Sequence, residues 1–476
     1  MANILLIDTN TTPFNEAFPV YPTGLDYLQG ALKEKGMDEA HILDLTRMGG
    51  PLSSPNFKER KKKSLDLIKK TVSEGRWDII GLSLRNIDST YPVGDGDPGL
   101  HYYLPDLMDY IDCATGSSKA GTPIVLGGTG FTMAPEVLLK DRPDNCYGVI
   151  GPGESSFPGL VEKLLNGASA EAITRTCEPS IGKLQNRALI REYLSFPLSE
   201  STFGIRTKIG CGQHCGYCPY PIINGREQHF KKINIVLEEL DLIRTINQQG
   251  DTPQPMQVMF ADDIFNRPGG HAKDILKAML DNGLILASWH AYLDPKNIDE
   301  EFMELVFQTN GWRRPTNGKN SPRTFFFSID IESGSATMLK HLQKPYTVSD
   351  LISAAEAFKR VAKRYKKRTD IAAINLGLHV LLGYPGECEE TIKETCQLIN
   401  AIKPAQIAFQ LGVRVYPQTP LAQKTKGTLW HQELDLAKPV FATLAESDVL
   451  KWLDKHLNPR YCNLVQKGNM ILISAP

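Results

Sequence analysis

The chain of 476 residues contains no apolar run approaching the roughly 18 residues that a membrane-crossing helix needs. Its opening, MANILLIDTN, lacks the charged-then-apolar pattern of a secretory leader, so a cytoplasmic location is expected. An excess of one charge is also missing. Lys and Arg number 53 against 54 Asp and Glu, giving a net charge of −1. That balance argues against the broad basic surface of an extended nucleic-acid site. Low-complexity segments and internal repeats are absent. The cysteines number nine, an odd count without an export signal, so a disulfide framework is not expected.

What is present is alternation. Asn3–Asp8, His41–Leu45, Ile79–Leu84, Ile124–Leu126 and Tyr147–Ile150 read as buried strands. Amphipathic stretches such as Thr23–Lys35 and Phe57–Ser73 separate them. This rhythm predicts an α/β fold beginning with a doubly wound, Rossmann-like parallel sheet, with ligands at the strand C-termini. Residues 170–200 break the rhythm and read as a connector. Six further strand-like runs follow, at Arg206–Gly210, Gln257–Ala261, Ile285–Tyr292, Thr324–Asp330, Ile371–Leu382 and Gln406–Val415. They predict a partial (β/α)6 TIM barrel, then a small C-terminal extension. The expected domains are 1–185, 186–425 and 426–476.

The chemistry concentrates in Cys211-Gly-Gln-His-Cys215-Gly-Tyr-Cys218. Three thiolates on one short loop suit three irons of a 4Fe–4S cluster and leave the fourth iron open to a small molecule. The competing reading is a zinc site completed by His214 or His229, but zinc sites usually draw on a second cysteine pair. Other segments sit where strands should end. They are Phe260-Ala-Asp262-Asp263-Ile-Phe265, Ser328-Ile-Asp330-Ile-Glu332, Gly383-Tyr-Pro-Gly-Glu387 and Arg414-Val-Tyr416-Pro. His379 reads as a core histidine of an apolar strand.

The loop spacing resembles that of the radical S-adenosylmethionine family from about Arg206 to Leu421, with Tyr217 matching the family's aromatic residue before the last cysteine. The resemblance implies that S-adenosylmethionine chelates the open iron and is cleaved by one electron from the cluster. It implies cofactor contacts from Tyr217, Asp262, Asp263, Ser328, Glu332, Arg414 and Tyr416. An electron donor such as flavodoxin or ferredoxin is implied as a partner.

The N-terminal elements Thr23-Gly-Leu-Asp-Tyr-Leu, Gly127-Gly128-Thr129-Gly130 and Gly151-Pro-Gly153-Glu154 are similar to the cobalamin-binding domain of one large radical S-adenosylmethionine family. That similarity implies a corrin near Ser83, Arg85, Gly127, Gly128, Thr129, Gly153 and Glu154. The usual Asp-x-His-x-x-Gly loop is replaced by Asp8-Thr-Asn-Thr-Thr-Pro-Phe, so no histidine from this loop reaches cobalt, and Arg85 is the candidate beneath it. The implied activity is methyl transfer from S-adenosylmethionine through cobalamin to an unactivated carbon of a small molecule. The alternatives are a methylthiotransferase with a second cluster on Cys113, Cys146 and Cys177, or a cobalamin-dependent cyclase or rearrangement enzyme.

Overall fold

The structure, a computed structural model, describes residues 2–9, 21–37, 39–45, 57–84, 88–92, 100–102, 104–195, 203–250, 256–310, 323–366, 371–426, 440–461, 463–467 and 470–474. These form two compact units. One joins Met1–Ser89, His101–Cys211 and Tyr220–Ala261; the other joins Thr90–Leu100, Gly212–Pro219 and Asp262–Pro476.

In the first unit the buried runs become parallel strands β1 (Ile4–Asp8), β2 (Ala40–Asp44), β3 (Ile79–Ser83), β4 (Ile124–Gly127) and β5 (Cys146–Ile150). A sixth strand, β6 (Ile173–Arg175), lies in the stretch read as an irregular connector. It is short and half-exposed at the sheet edge, so it carries little apolar signal. The order is β2-β1-β3-β4-β5-β6. One sheet face packs Ile4, Leu6, Ile79 and Val125 against Leu25 and Leu32 of α1 (Thr23–Glu34) and Phe157 of α2 (Phe157–Leu165). The alternate residues Leu5, Ile7, Ile80 and Leu82 are buried as well, as a doubly covered parallel sheet requires.

The same unit holds a parallel pair, β7 (Phe203–Ile205) and β8 (Gln257–Phe260), connected through α3 (Ile233–Gln248). Helix α1 is bonded to this region. Thr23 Oγ1 donates to Gly204 O at 2.7 Å, and Asp26 accepts from the backbone N–H groups of Gln185 and Asn186. Lys231 Nζ donates to Tyr27 Oη at 2.9 Å and pairs with Glu239 at 2.7 Å, both charges being buried. The Thr23–Leu28 motif is therefore occupied by internal bonds. Its polar side chains satisfy backbone groups of Gly204, Gln185 and Asn186 and the Lys231 ammonium.

The second unit is built on a five-stranded sheet. β10 (Arg323–Glu332), β11 (Ile371–Leu382) and β12 (Gln406–Leu411) run parallel; the strand β9 (Ser288–Ala291) precedes them in the chain. The C-terminal segment then adds β14 (Met470–Ser474) antiparallel to β12, with β13 (Asn463–Lys467) outside it. The tail thus covers the β12 edge. Phe325 and Phe327 of β10 pack on Phe307 of α4 (Glu300–Thr309) and Phe358 of α5 (Val348–Tyr365), with ring centroids 4.4 and 5.7 Å apart. Burying each such ring contributes roughly 1.5–3 kcal/mol. Helix α5 starts at a reciprocal Thr347–Asp350 capping box.

Candidate active site

The cysteine loop begins at the end of the first unit. Gly210, before Cys211, has φ +93°, and a Cβ there would lie 1.8 Å from Glu227 O, so only glycine fits. Cys211 N donates to Gly225 O at 3.1 Å. Cys215 and Cys218 belong to the second unit. Gly216 between them donates its N–H to Leu342 O at 2.8 Å and accepts from Leu421 N at 2.7 Å. Cys211 and Cys215 are buried, and Cys218 is half-buried. No described cysteine is in a disulfide. Among the described residues no three His, Cys, Asp or Glu side chains converge on a single ion. A cubane cluster takes its thiolates on different irons, which suits three cysteines on one short loop. The donor set fits the cluster.

Tyr217 and Glu332 are brought together. Tyr217 Oη donates to Glu332 Oε1 at 2.5 Å, and Lys344 Nζ donates to the same oxygen at 2.8 Å and to Tyr217 Oη at 2.9 Å. Glu332 has φ +58°, at the irregular end of β10. Burial pushes the Cys215 thiol pKa up, and the Lys344 ammonium pulls it back down. Sequence reasoning did not find Lys344, twelve residues beyond Glu332 and unremarkable in type.

Asp294, three residues beyond β9, was also missed. Its side chain is fully buried and takes Arg267 Nη1 at 2.8 Å and Gln213 Nε2 of the cysteine loop at 3.2 Å. An aspartate just past a strand's C-terminal end was the available signal. Asp262 is buried and Asp263 half-buried; Ser328 is exposed. Arg414 does not reach open space. Its guanidinium donates to Val415 O at 2.7 Å and Val440 O at 3.2 Å and lies over the half-buried Tyr416 ring. His379 is not a satisfied core residue. Its Nδ1 lies 3.8 Å from Asp330 Oδ1, and its buried Nε2 has no hydrogen-bond partner.

In the first unit, Ser83, Gly127, Gly128 and Thr129 sit at the C-terminal ends of β3 and β4. Ser83 pairs with Gly127 in register, and its carbonyl accepts from Thr9 N and Oγ1. Gly128 has φ +90°, and a Cβ there would lie 2.6 Å from Leu84 O; at Gly127 a Cβ would meet none of the described residues within 4 Å. The side-chain position at Gly127 is thus filled by none of the described residues. Gly153 follows β5 and lies against Leu28. Glu154 is buried, with Arg206 Nη1 at 3.8 Å, and burial raises its pKa. Arg85 lies outside the described residues.

No family model matches the chain. It is 24% identical over 482 residues to the tryptophan 2-C-methyltransferase of Streptomyces laurentii, covering 85% of this chain and 72% of that protein. Its fold matches the radical S-adenosylmethionine methyltransferase TsrM of Kitasatospora setae, solved with cobalamin and a [4Fe-4S] cluster. The TM-score is 0.65 at 21% identity, over 90% of this chain and 79% of that one. It also matches the cobalamin-dependent S-adenosylmethionine radical enzyme OxsB, at TM-score 0.66 and 14% identity, over 97% of this chain and 69% of that one. The chain has the fold of the cobalamin-dependent radical S-adenosylmethionine enzymes. The OxsB match spans nearly the whole chain, so this fold takes in both the six-stranded sheet and the five-stranded one.

Proposed function

We propose that the chain is a cobalamin-dependent radical S-adenosylmethionine methyltransferase acting on an unactivated carbon of a small molecule. The observation that carries this reading is the cysteine loop. Two of its three cysteines are buried, none is in a disulfide, and its backbone is gripped from Leu342 and Leu421. The similarity to a tryptophan 2-C-methyltransferase supports it. In this reading residues 1–185 are a Rossmann-like cobalamin-binding domain, 186–425 a partial (β/α)6 barrel and 426–476 an extension that closes its last edge. The enzyme works in the cytoplasm and draws electrons from a flavodoxin or ferredoxin.

When bound, the cluster supplies one electron and cobalamin carries the methyl group. Cys211, Cys215 and Cys218 hold the cluster. Lys344, Glu332 and Tyr217 fix the loop between Cys215 and Cys218, and Asp294 fixes Gln213. Asp262 and Asp263 hold the ammonium group of S-adenosylmethionine by charge-assisted hydrogen bonds. Gly127 and Gly128 keep the rim of the six-stranded sheet clear for the corrin.

A methylthiotransferase would place Cys113, Cys146 and Cys177 on one second cluster. Cys146 begins β5, whereas Cys177 lies two residues beyond the end of β6, and the two strands pair Gly148 with Ile173. The register puts the two cysteines roughly 20 Å apart along the strand direction. That separation is too great for one cluster.

Anaerobically reconstituted protein should carry about four irons per chain. It should retain hydroxocobalamin through gel filtration and cleave S-adenosylmethionine when reduced. The triple Cys211→Ala, Cys215→Ala, Cys218→Ala variant should lose iron and cleavage together. Failure to retain cobalamin in either redox state would reject the methyltransferase reading.

A further inference from the structure

Asp294 is fixed through its backbone and its side chain alike. Its N–H donates to Asn266 Oδ1 at 2.6 Å, and its carbonyl accepts from Asn266 Nδ2 at 2.9 Å. Its Oδ1 accepts from Lys296 N at 3.0 Å, and its Oδ2 takes Arg267 Nη1 at 2.8 Å. The same Oδ2 accepts from Gln213 Nε2 at 3.2 Å. Asn266 and Asp294 are both buried, and a buried carboxylate satisfied in this way has one orientation.

That anchor orients the Gln213 amide. A carboxylate paired with arginine only accepts, so the NH2 end of the amide faces Asp294. The carbonyl end faces the cysteine loop's own ligand: Gln213 Oε1 lies 3.4 Å from Cys215 Sγ. Gln213 and Cys215 are 7% and 8% exposed, so little water screens the contact. As a thiol, Cys215 donates its S–H to this oxygen. Bound to iron it has no proton to give, and Asp294 keeps the amide from turning its N–H groups toward the sulfur. The negative end of the carbonyl dipole then faces the thiolate.

We propose that Asp294 is a positioning residue that, acting through Gln213, lowers the reduction potential of the cluster. Reduction adds one negative charge to the cluster, and a carbonyl oxygen held against one of its thiolates opposes that charge. A hydrogen-bond donor at the same place would favour the reduced cluster; the Asp294 anchor presents the opposite end of the amide. The electron passed to S-adenosylmethionine then carries more driving force. The proposal rests on the part of the methyltransferase reading that gives Cys215 to the cluster, and it does not depend on cobalamin or on methyl transfer.

The test is a redox titration of the cluster- and cobalamin-loaded protein without S-adenosylmethionine, reading the electron paramagnetic resonance signal of the reduced cluster. Gln213→Leu removes the carbonyl. Asp294→Asn supplies an N–H that can hold the Gln213 carbonyl and so turn its NH2 toward Cys215. Each variant should make the cluster easier to reduce, shifting the equilibrium at least about threefold, or about 28 mV at 59 mV per tenfold for one electron. The double variant should match Gln213→Leu, because Asp294 acts only through the amide. Gln213→Leu leaves the Asp294–Arg267 pair in place, so it keeps the test available if the Asp294 variant misfolds. An unchanged or lowered potential in Gln213→Leu would overturn the proposal. So would an Asp294→Asn shift that is as large with leucine at position 213 as with glutamine, since the carboxylate would then act without the amide. Iron content, measured on the same preparations, judges the cluster assignment separately: about four irons per chain support it whatever the potentials show.

Discussion

Lys344 and Glu332 form an ion pair at 2.8 Å with side chains only 8% and 11% exposed. Neither charge has enough water to stand alone, and Tyr217 shares the same carboxylate oxygen. Removing one partner strands the other. Lys344→Met should therefore destabilise the protein by about 3 kcal/mol, while the double Lys344→Met, Glu332→Gln variant should recover much of the loss. Urea denaturation midpoints of the apo forms measure both. A single variant as stable as the parent would show that the pair contributes nothing to holding the loop.

Glu387 makes a different electrostatic arrangement. Gly383 N donates to its Oε2 at 2.6 Å, but its buried Oε1 has no hydrogen-bond partner. Burial pushes the carboxyl from 4.5 up to about 7, against the opposing pull of the Gly383 N–H. The folded state therefore binds this proton more tightly than the unfolded chain does. Stability from this group is fully present below pH ~4.5 and is lost as pH rises through about 7, a swing of about 3 kcal/mol. Glu387→Gln should match the parent near pH 5 and exceed it at pH 8. Parallel stability–pH curves for parent and variant would contradict the assignment.

Much of the fold was legible where a strand is a continuous buried run. NILLID and IIGLSL announce β1 and β3 because both faces of the sheet are covered. β6 escaped notice because three half-exposed residues at a sheet edge carry no pattern, and β13 because its apolar residues Leu464 and Val465 are about half exposed. The cysteine loop was legible because its ligands are local. Its supports were not: Gln213 meets Asp294 across 81 residues, and Tyr217 meets Glu332 across 115. The partners of the Thr23–Leu28 motif and of Glu154 were equally hidden: the motif's polar groups bond Gly204, Gln185 and Lys231, and Glu154 lies beside Arg206, all distant in the chain.

Asp262 and Asp263 follow β8, and the second of them is half-buried. Changing both to Asn keeps their shape and removes the negative charge offered to an ammonium group. The affinity of the cluster-loaded protein for S-adenosylmethionine should fall at least about tenfold, the scale of one charge-assisted hydrogen bond. Asp263→Asn alone separates binding from folding, because Asp262 is only 2% exposed. Unchanged affinity in a folded double variant would remove these residues from the S-adenosylmethionine site.

The two adjacent glycines at the end of β4 give opposite expectations. Gly127 is extended, at φ −153° and ψ −170°, a conformation open to any residue, and none of the described residues lies within 4 Å of its side-chain position. Gly128 is left-handed, at φ +90°, and a Cβ there would strike Leu84 O at 2.6 Å. Gly128→Val should therefore damage the sheet rim itself and lower the melting temperature. Gly127→Val should leave melting unchanged, because the added methyl groups enter open space. If that space receives the corrin, the same methyl groups occupy ligand volume, and hydroxocobalamin retention should drop at least about tenfold, the scale of overpacking a fitted contact. A folded Gly127→Val protein that holds hydroxocobalamin as tightly as the parent would place the corrin elsewhere than on this rim.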